Sequence, residues 1–314
     1  MTNYSLDFPR AFSNERPGGV IKRHPEDFVV EELMPASFSG EGEHDYLWIE
    51  KTGQNTDYVA RQLARYAGVR EMDVGFSGLK DRHAVTRQWF SVYRRGASSI
   101  HWGELSLEGV TLLEQTRHQS KLRRGQHDGN RFQIKVRDIG YWDESQENIL
   151  KNLGDIGFPN YFGRQRFGRD GENLVRGARF FAGEIKASRS QRGYYLSAAR
   201  AYLFNCCLAR CLKDGSWSQA EAAGPLFGDP QDGVAAINSD EESILQQYPE
   251  LACGIHKNRM KLERRAYCVR PCSFEAERDG DVLTLVFELP AGAFATTLLE
   301  ELVAYTDESG RGAE

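Results

Sequence analysis

Alternating apolar and polar residues predict several short β-strands along the chain. The runs are rich in β-branched and aromatic residues, which favour extended structure. Turn residues bound them, as where Pro25 to Asp27 precede Phe28. The predicted strands cover residues 20–23, 28–33, 46–51, 86–92, 110–115, 131–137, 266–270 and 282–289.

Apolar residues three and four positions apart predict helices between these strands. The longest apolar stripe follows Ser197, which we expect to cap its helix, and it ends at Gly215. The predicted helices cover 56–68, 143–156, 197–215 and 293–305.

The order of these elements predicts an α+β fold with a mixed, largely antiparallel sheet. Strands and one-sided helices occupy both ends of the chain, and a segment of different texture separates them. We therefore predict a discontinuous main domain, 1–156 and 268–314, interrupted by a smaller inserted α/β domain over 157–267.

Composition places the chain among globular, water-soluble proteins. Of its 314 residues, 40% are hydrophobic and 27% are charged. No apolar run approaches the roughly 20 residues of a membrane span, and residues 1–13 lack a signal-peptide layout. We expect a cytoplasmic protein that makes no membrane contact. The six cysteines form no CxxC pair, so reduced thiols are expected and a zinc site is not.

The uneven distribution of charge changes the picture given by the net charge of −5. Residues 117–137 carry seven Lys or Arg against one acid, and 161–200 carry nine against three. The first block includes Arg123 and Arg124 in a loop suited to contacting phosphates. Such blocks either form one positive face for a polyanion or are separate solvated surfaces.

The second basic block begins with PNYFGRQRFGRDG at 159–171. Arginine interleaved with aromatic residues is typical of surfaces that stack on bases and pair with phosphates, which makes Arg164 and Arg166 candidates for RNA contacts. A glycine-rich connector with ordinary surface arginines has the same composition.

Asp81 is the strongest candidate for chemistry. It follows a glycine-punctuated approach, lies between Lys80 and Arg82, and precedes a predicted strand. Two neighbouring cations favour the ionised carboxylate, which suits a nucleophile or base better than an acid. Arg82 would hold Asp81 in position or approach a phosphate. The alternative is a turn aspartate in a local salt bridge.

Seven segments, in this order along the chain, resemble the motifs of the TruD family of pseudouridine synthases, and the match spans most of the sequence. They read IKRHPEDFVVEE, GLKDRHAVTRQWFSV, GNRF, PNYFGRQRFG, YLSAARAYLFN, KLERRA and LPAGAFATTLLEE. The resemblance implies a pseudouridine-synthase-like catalytic domain with a TRUD-type insertion. It also implies the substrate class, which is uridine at position 13 of tRNA.

The resemblance further implies roles for individual residues. The nucleophile falls on Asp81 and a basic residue near the site on Lys22. The positions that contact or stack on uracil fall on Phe28, Asn130, Phe132 and Phe294. The implied enzyme is an isomerase, and we expect it to need no cofactor or metal and to act on tRNA as a monomer.

Two other classes of protein remain open from the residues alone. An RNA-binding or RNA-folding factor would also use basic blocks. A metal-dependent nuclease would need a carboxylate cluster, and the sequence offers one candidate aspartate in a basic setting. The order of bond changes also stays open, since Asp81 could attack C6 of uracil or C1′ of ribose.

Overall fold

The computed structural model describes residues 4–13, 15–34, 38–94 and 100–309. Its strands are β1 (Gly18–Ile21), β2 (Phe28–Leu33), β3 (His44–Thr52), β4 (Val74–Phe76), β5 (Val85–Tyr93), β6 (Val110–His118), β7 (Gly129–Val136), β8 (Phe158–Pro159), β9 (Ala223–Leu226), β10 (Glu263–Ala266), β11 (Cys268–Val269), β12 (Cys272–Asp279), β13 (Val282–Pro290) and β14 (Ala304–Asp307). Its helices are α1 (Thr56–Ala67), α2 (Glu144–Asp155), α3 (Glu172–Phe181), α4 (Arg189–Asp214), α5 (Ser239–Gln247), α6 (Pro249–Lys257) and α7 (Ala295–Leu302).

The chain divides into two compact units. The sheet unit comprises Pro17–Asp143, Pro271–Gly292 and Val303–Glu314, and the helical unit comprises Met1–Arg16, Glu144–Arg270 and Ala293–Leu302. The predicted insertion, 157–267, falls wholly inside the helical unit, which also takes in both flanks of that segment and two more distant ones. Its status as an inserted domain stays a prediction.

An eight-stranded sheet forms the sheet unit. The strand order is β12-β13-β7-β2-β5-β3-β6, with β4 paired to the free part of β5. Only β2 and β5 run parallel in it; the other pairs are antiparallel. The predicted α+β class with a mixed, largely antiparallel sheet is therefore confirmed.

Helix α1 covers one part of this sheet. Its apolar stripe, including Val59 and Leu63, packs on Leu47, Ile49 and Phe90, which are all fully buried. Gly68 ends the helix with φ of +65°, a conformation that glycine adopts without strain. The part of the same sheet face that α1 leaves uncovered carries the candidate site.

A small parallel pair joins two distant segments of the sheet unit. Strand β1 pairs with β14, so that Gly18 lies opposite Ala304 and Ile21 opposite Asp307. Residues 293–305 were predicted to form one helix, but α7 ends at Leu302 and the next residues form β14. The prediction failed there because Tyr305 and Thr306 favour strand, and their partner lies almost 300 positions earlier in the sequence.

The helical unit is built around α4, whose 26 residues run through a large buried cluster of that unit. The cap of this helix lies nine residues earlier in the sequence than predicted. Ser188, not Ser197, is its cap and accepts a hydrogen bond from the Gln191 N–H. The prediction was wrong because the first two turns of α4 are largely exposed and carry no apolar stripe to mark them as helix.

Candidate active site

Asp81 lies in the loop between β4 and β5, and its carboxylate is 36% exposed. The Lys22 ammonium donates to its Oδ2 over 2.5 Å, and the His83 N–H donates to its Oδ1 over 3.0 Å. Both oxygens are therefore oriented by donors while part of the carboxylate stays open to solvent. An oriented, accessible carboxylate is what a nucleophile requires.

These donors decide the charge of Asp81. Burial raises the pKa of the carboxyl, but the hydrogen bond and charge of Lys22, with a smaller contribution from His83, outweigh it. The pKa is lowered from its usual value, and the group is ionised at neutral pH.

The cation that does this is not one of the two neighbours in sequence. Lys80 directs its ammonium to Asn130, and Arg82 donates from Nε to the Gly53 carbonyl over 2.9 Å. The expectation that Asp81 would be ionised agrees with the structure, but the predicted source of that effect was wrong. Adjacent residues of a loop point in different directions, so closeness in sequence did not give contact.

Lys22 is placed for this contact by an unusual backbone. It follows β1 directly and has φ of +57°, a left-handed conformation that costs energy for a residue with a side chain. From there its ammonium also lies 3.5 Å from Asp307 Oδ2 and 4.7 Å from the Phe28 ring centroid. The turn at Lys22 also ends β1 at Ile21, two residues before the predicted end.

Lys51 stabilises the Asp81 loop through hydrogen bonds to backbone carbonyl groups. Its side chain is buried, and its ammonium donates to the carbonyl oxygens of Gln54 and Asp81, each over 2.9 Å. Burial lowers the pKa of Lys51 to about 8, although the negative charge of Asp81 opposes the shift. Two further bonds join the same segments, one from the Gly53 N–H to Arg82 O and one from the Lys80 N–H to Thr56 Oγ1. The loop is therefore fixed to the end of β3 and the start of α1.

Asn130 is held by a buried ion pair. The Lys80 ammonium donates to Asn130 Oδ1 over 2.7 Å and lies 3.2 Å from Glu32 Oε1. The Lys80 side chain is 5% exposed and that of Glu32 is fully buried. Burial lowers the pKa of Lys80 and raises that of Glu32, while their mutual attraction opposes both shifts.

Several of these side chains share one face of the sheet. Directly paired residues of neighbouring strands project to the same side, and the pairing runs from Lys51 through Thr86, Val30 and Phe132 to Phe287. Glu32 and Asn130 are also paired with each other. Glu32 lies two residues from Val30 on β2, and Asn130 lies two residues from Phe132 on β7, so both project to that side as well. We call this side of the sheet, with the Asp81 loop beside it, the site face.

Aromatic rings line the site face. Phe28 and Phe132 meet edge to face with their centroids 6.3 Å apart, and Phe132 stacks on Phe287 at 5.4 Å. Both Phe28 and Phe132 are less than 9% exposed. The sheet unit thus brings Asp81, Lys22, Phe28, Asn130 and Phe132 into one connected region.

Phe294, which was predicted to contact uracil, lies outside this region. Phe294 belongs to the helical unit, where its ring lies 6.2 Å from that of Phe162. Its predicted role stays a prediction.

The predicted RNA-contacting arginines are divided between the two units. Arg123 and Arg124 are exposed in the loop between β6 and β7, and Arg124 stacks over the Phe76 ring at 3.8 Å. In the helical unit, Arg164 is exposed, whereas Arg166 is half-buried and donates to Ser197 Oγ over 3.1 Å. Their contacts with RNA stay a prediction.

The sequence did contain a signal for Lys51, which was missed as a site residue. Leu47, Ile49 and Lys51 alternate along β3, and the first two are buried core. A period of two therefore places the lysine on the buried face. Glu32 was missed for the same reason, since it continues the alternation of Phe28 and Val30.

Within the described ranges, no three His, Cys, Asp or Glu side chains come together as a metal site would require. No helix in those ranges has the length and apolar character needed to cross a bilayer.

Comparison with known proteins gives the family. The family model described as tRNA pseudouridine synthase D (TruD) matches residues 9–188. A tRNA pseudouridine synthase D from Cellvibrio japonicus is 40% identical over 98% of this chain and 96% of that protein. One from Hydrogenovibrio crunogenus is 38% identical over 93% of this chain and 95% of that protein.

The chain belongs to the TruD family of tRNA pseudouridine synthases.

The fold is shared with a distant TruD relative as well. A crystal structure of a candidate TruD from Methanosarcina mazei superposes with a TM-score of 0.71, at 19% identity, over 94% of this chain and 95% of that one. The resemblance read from the motifs is thereby confirmed at the level of family and fold. It places the site face in a TruD enzyme.

Proposed function

We propose that this TruD enzyme converts uridine to pseudouridine at position 13 of tRNA, with Asp81 as the nucleophile. The observation that carries the proposal is the Lys22–Asp81 pair, in which an accessible carboxylate is kept ionised by an ammonium that lies 4.7 Å from the Phe28 ring centroid. The family supports the reaction class, and the geometry supports the choice of residue.

The reaction needs a carboxylate that can attack and then leave. Uridine loses its N1–C1′ bond and gains a C5–C1′ bond, while C5 releases a proton and N1 takes one up. An ester to C6 of uracil or to C1′ of ribose would each use one oxygen of Asp81 and return it at the end. Lys22 would favour departure, because its charge stabilises the carboxylate that is regenerated.

The target uridine has to leave its stack to reach Asp81, which costs a few kcal/mol. Stacking on an aromatic ring recovers roughly 1–3 kcal/mol per base. Phe132 is held rigid by Phe287 and Phe28, so we assign it the stacking role, with Phe28 walling the site. Phe294 is proposed as a further uracil contact.

Enclosure matters because the detached uracil must turn without escaping. A water-poor aromatic site keeps both fragments together between bond breaking and bond making. The low exposure of Phe28 and Phe132 is consistent with such a site.

Binding of the tRNA backbone is assigned to the basic segments. Arg123 and Arg124 are exposed and would contact phosphates from the sheet unit, with Arg82 nearer the target nucleotide. Arg164 and Arg166 would do so from the segment 157–267, which we propose as the inserted TRUD-type domain. Each phosphate contact that is lost should lower the salt dependence of binding by about one unit of slope.

The test uses an unmodified tRNA transcript. The transcript is incubated with the protein, and pseudouridine is mapped by carbodiimide derivatisation and primer extension. We expect a new stop at position 13 with wild type and none with Asp81→Asn. The absence of a product with wild type, or full product with the variant, would overturn the proposal.

A further inference from the structure

Lys80 and Glu32 form a buried pair behind Asn130, and neither has a role in the chemistry proposed above. Both lie at the site face, and together they cost the fold the desolvation of two charges. Because burying this pair is costly, its position beside the site indicates a functional role.

The contact between Lys80 and Asn130 indicates what this role is. A lysine ammonium has three donors and no acceptor, so the group facing it has to be the amide oxygen of Asn130. That contact fixes the amide rotation and turns Nδ2 away from Lys80. Asn130 then presents its amino group, a donor, to a base on the side away from Lys80.

Glu32 keeps Lys80 in this position. Its Oε1 lies 3.2 Å from the ammonium, and its Oε2 accepts a hydrogen bond of 3.2 Å from the Trp89 N–H in β5. Glu32 and Asn130 are also paired directly across β2 and β7. Three adjacent strands therefore define the direction of one amide.

We propose that Lys80, positioned by Glu32, is a specificity-determining residue that makes Asn130 donate to O4 of uracil and thereby reject cytosine. The inference rests on the proposed function. At the same place cytosine carries an amino group, which would meet the Asn130 amino group donor to donor. A site built to bond one polar group disfavours a base that leaves its donor unpaired.

Without this pair, Asn130 could rotate by 180° and present its oxygen. An amide free to choose would accept from cytosine N4 as readily as it donates to uracil O4. The Lys80–Glu32 pair thus restricts the Asn130 amide to one orientation, which makes its contact with the base selective. Lys80 does this without touching the substrate, so it is a positioning residue and not a catalytic one.

The experiment measures discrimination by binding. Two tRNA transcripts that differ only in uridine or cytidine at position 13 are titrated against Asp81→Asn, which is expected not to convert the bound uridine. We expect the uridine transcript to bind about tenfold or more tightly, the size of one unmet hydrogen bond. Equal binding of the two transcripts by this parent would overturn the inference.

The decisive variant adds Lys80→Met and Glu32→Gln to that background, so that no buried charge is left alone. We expect the ratio of the two dissociation constants to fall severalfold, mainly through tighter binding of the cytidine transcript. Lys135→Met is the matched control, because Lys135 lies on the same strand as Asn130 but projects to the other face. An unchanged ratio in the Lys80 and Glu32 variant would overturn the inference.

A second variant covers the case in which that protein does not fold. Asn130→Asp keeps an oxygen for Lys80 and replaces the outward donor by an acceptor. We expect it to favour the cytidine transcript, and a retained preference for uridine would contradict the inference. The proposed function fails separately, when wild type makes no pseudouridine in the transcript that carries uridine.

Discussion

The two faces of the eight-stranded sheet use charge in opposite ways. On the face opposite the site, Arg87 bridges Glu31 and Glu50 at 3.2 and 2.9 Å, and all three side chains are roughly a third exposed. Glu32 follows Glu31 directly in β2, but it projects to the site face and is fully buried against Lys80. Neighbouring positions in the sequence thus place one ion pair in water and the other in the protein interior.

The difference teaches where charge is structural and where it is functional. Exposed pairs contribute about 0–1 kcal/mol, because water and salt screen them. Buried charges depend on each partner, and removing one leaves the other without compensation. The buried charges of the site face should therefore be sensitive to substitution, whereas the exposed ion pairs of Arg87 on the opposite face should tolerate it.

The largest contrast is expected from matched substitutions on the two faces. Lys80→Met should lower the free energy of unfolding by about 3–5 kcal/mol, because Glu32 stays buried without its cation. Arg87→Met should lower it by about 1 kcal/mol or less. Urea denaturation of both variants measures the difference, and equal losses would remove the distinction between the faces.

A pH-dependent effect is expected at Lys51. Burial lowers the pKa of its ammonium from 10.5 to about 8. Between these values the unfolded chain holds a proton that the folded chain has released, so the free energy of unfolding should rise with pH across that window. The rise attributable to Lys51 is on the order of 3 kcal/mol.

Lys51→Met should remove this rise, since methionine does not titrate. Lys135→Met serves as the control and should keep it. Denaturation midpoints at pH 7.5 and at pH 10 give the comparison. If wild type and Lys51→Met change in parallel, Lys51 is not the buried, titrating group described above.

A smaller effect is expected when Lys22 is replaced. Lys22→Met removes the hydrogen bond and the charge that lower the pKa of Asp81, and the burial of that carboxyl then raises the pKa. The acid limb of the rate of pseudouridine formation should move to higher pH. Single-turnover rates across the acid range measure it, and an acid limb at the wild-type position would show that Lys22 does not set the charge of Asp81.

Much of the sheet unit could be predicted from the sequence, because its signals are local. The strand 28–33 and the helix that starts at Thr56 and stops at Gly68 follow from alternation, periodicity and a glycine stop, and the structure has them at those positions. Asp81 was singled out as a candidate from its own neighbourhood, and the motif resemblance then implied its role as nucleophile.

The missed contacts of the site and the missed strand β14 depend on partners far along the chain. The contact of Lys22 with Asp81 joins residues 59 positions apart, and β14 exists because β1 is beside it. The left-handed backbone at Lys22 has no local cause in sequence, since lysine does not favour it. The roles of Lys51 and Glu32 could have been suspected from their place in an alternating pattern, but their contacts could not.

The most direct test replaces one carboxylate at the site and one on the opposite face of the sheet. Single-turnover rates of pseudouridine formation and tRNA affinities are measured for Asp81→Asn and Glu31→Gln at saturating enzyme. We expect Asp81→Asn to lose at least about a thousandfold in rate with little change in affinity, since it removes the nucleophile and little else. Glu31→Gln should keep the wild-type rate. A rate for Asp81→Asn within tenfold of wild type would contradict the assignment of Asp81 as the nucleophile.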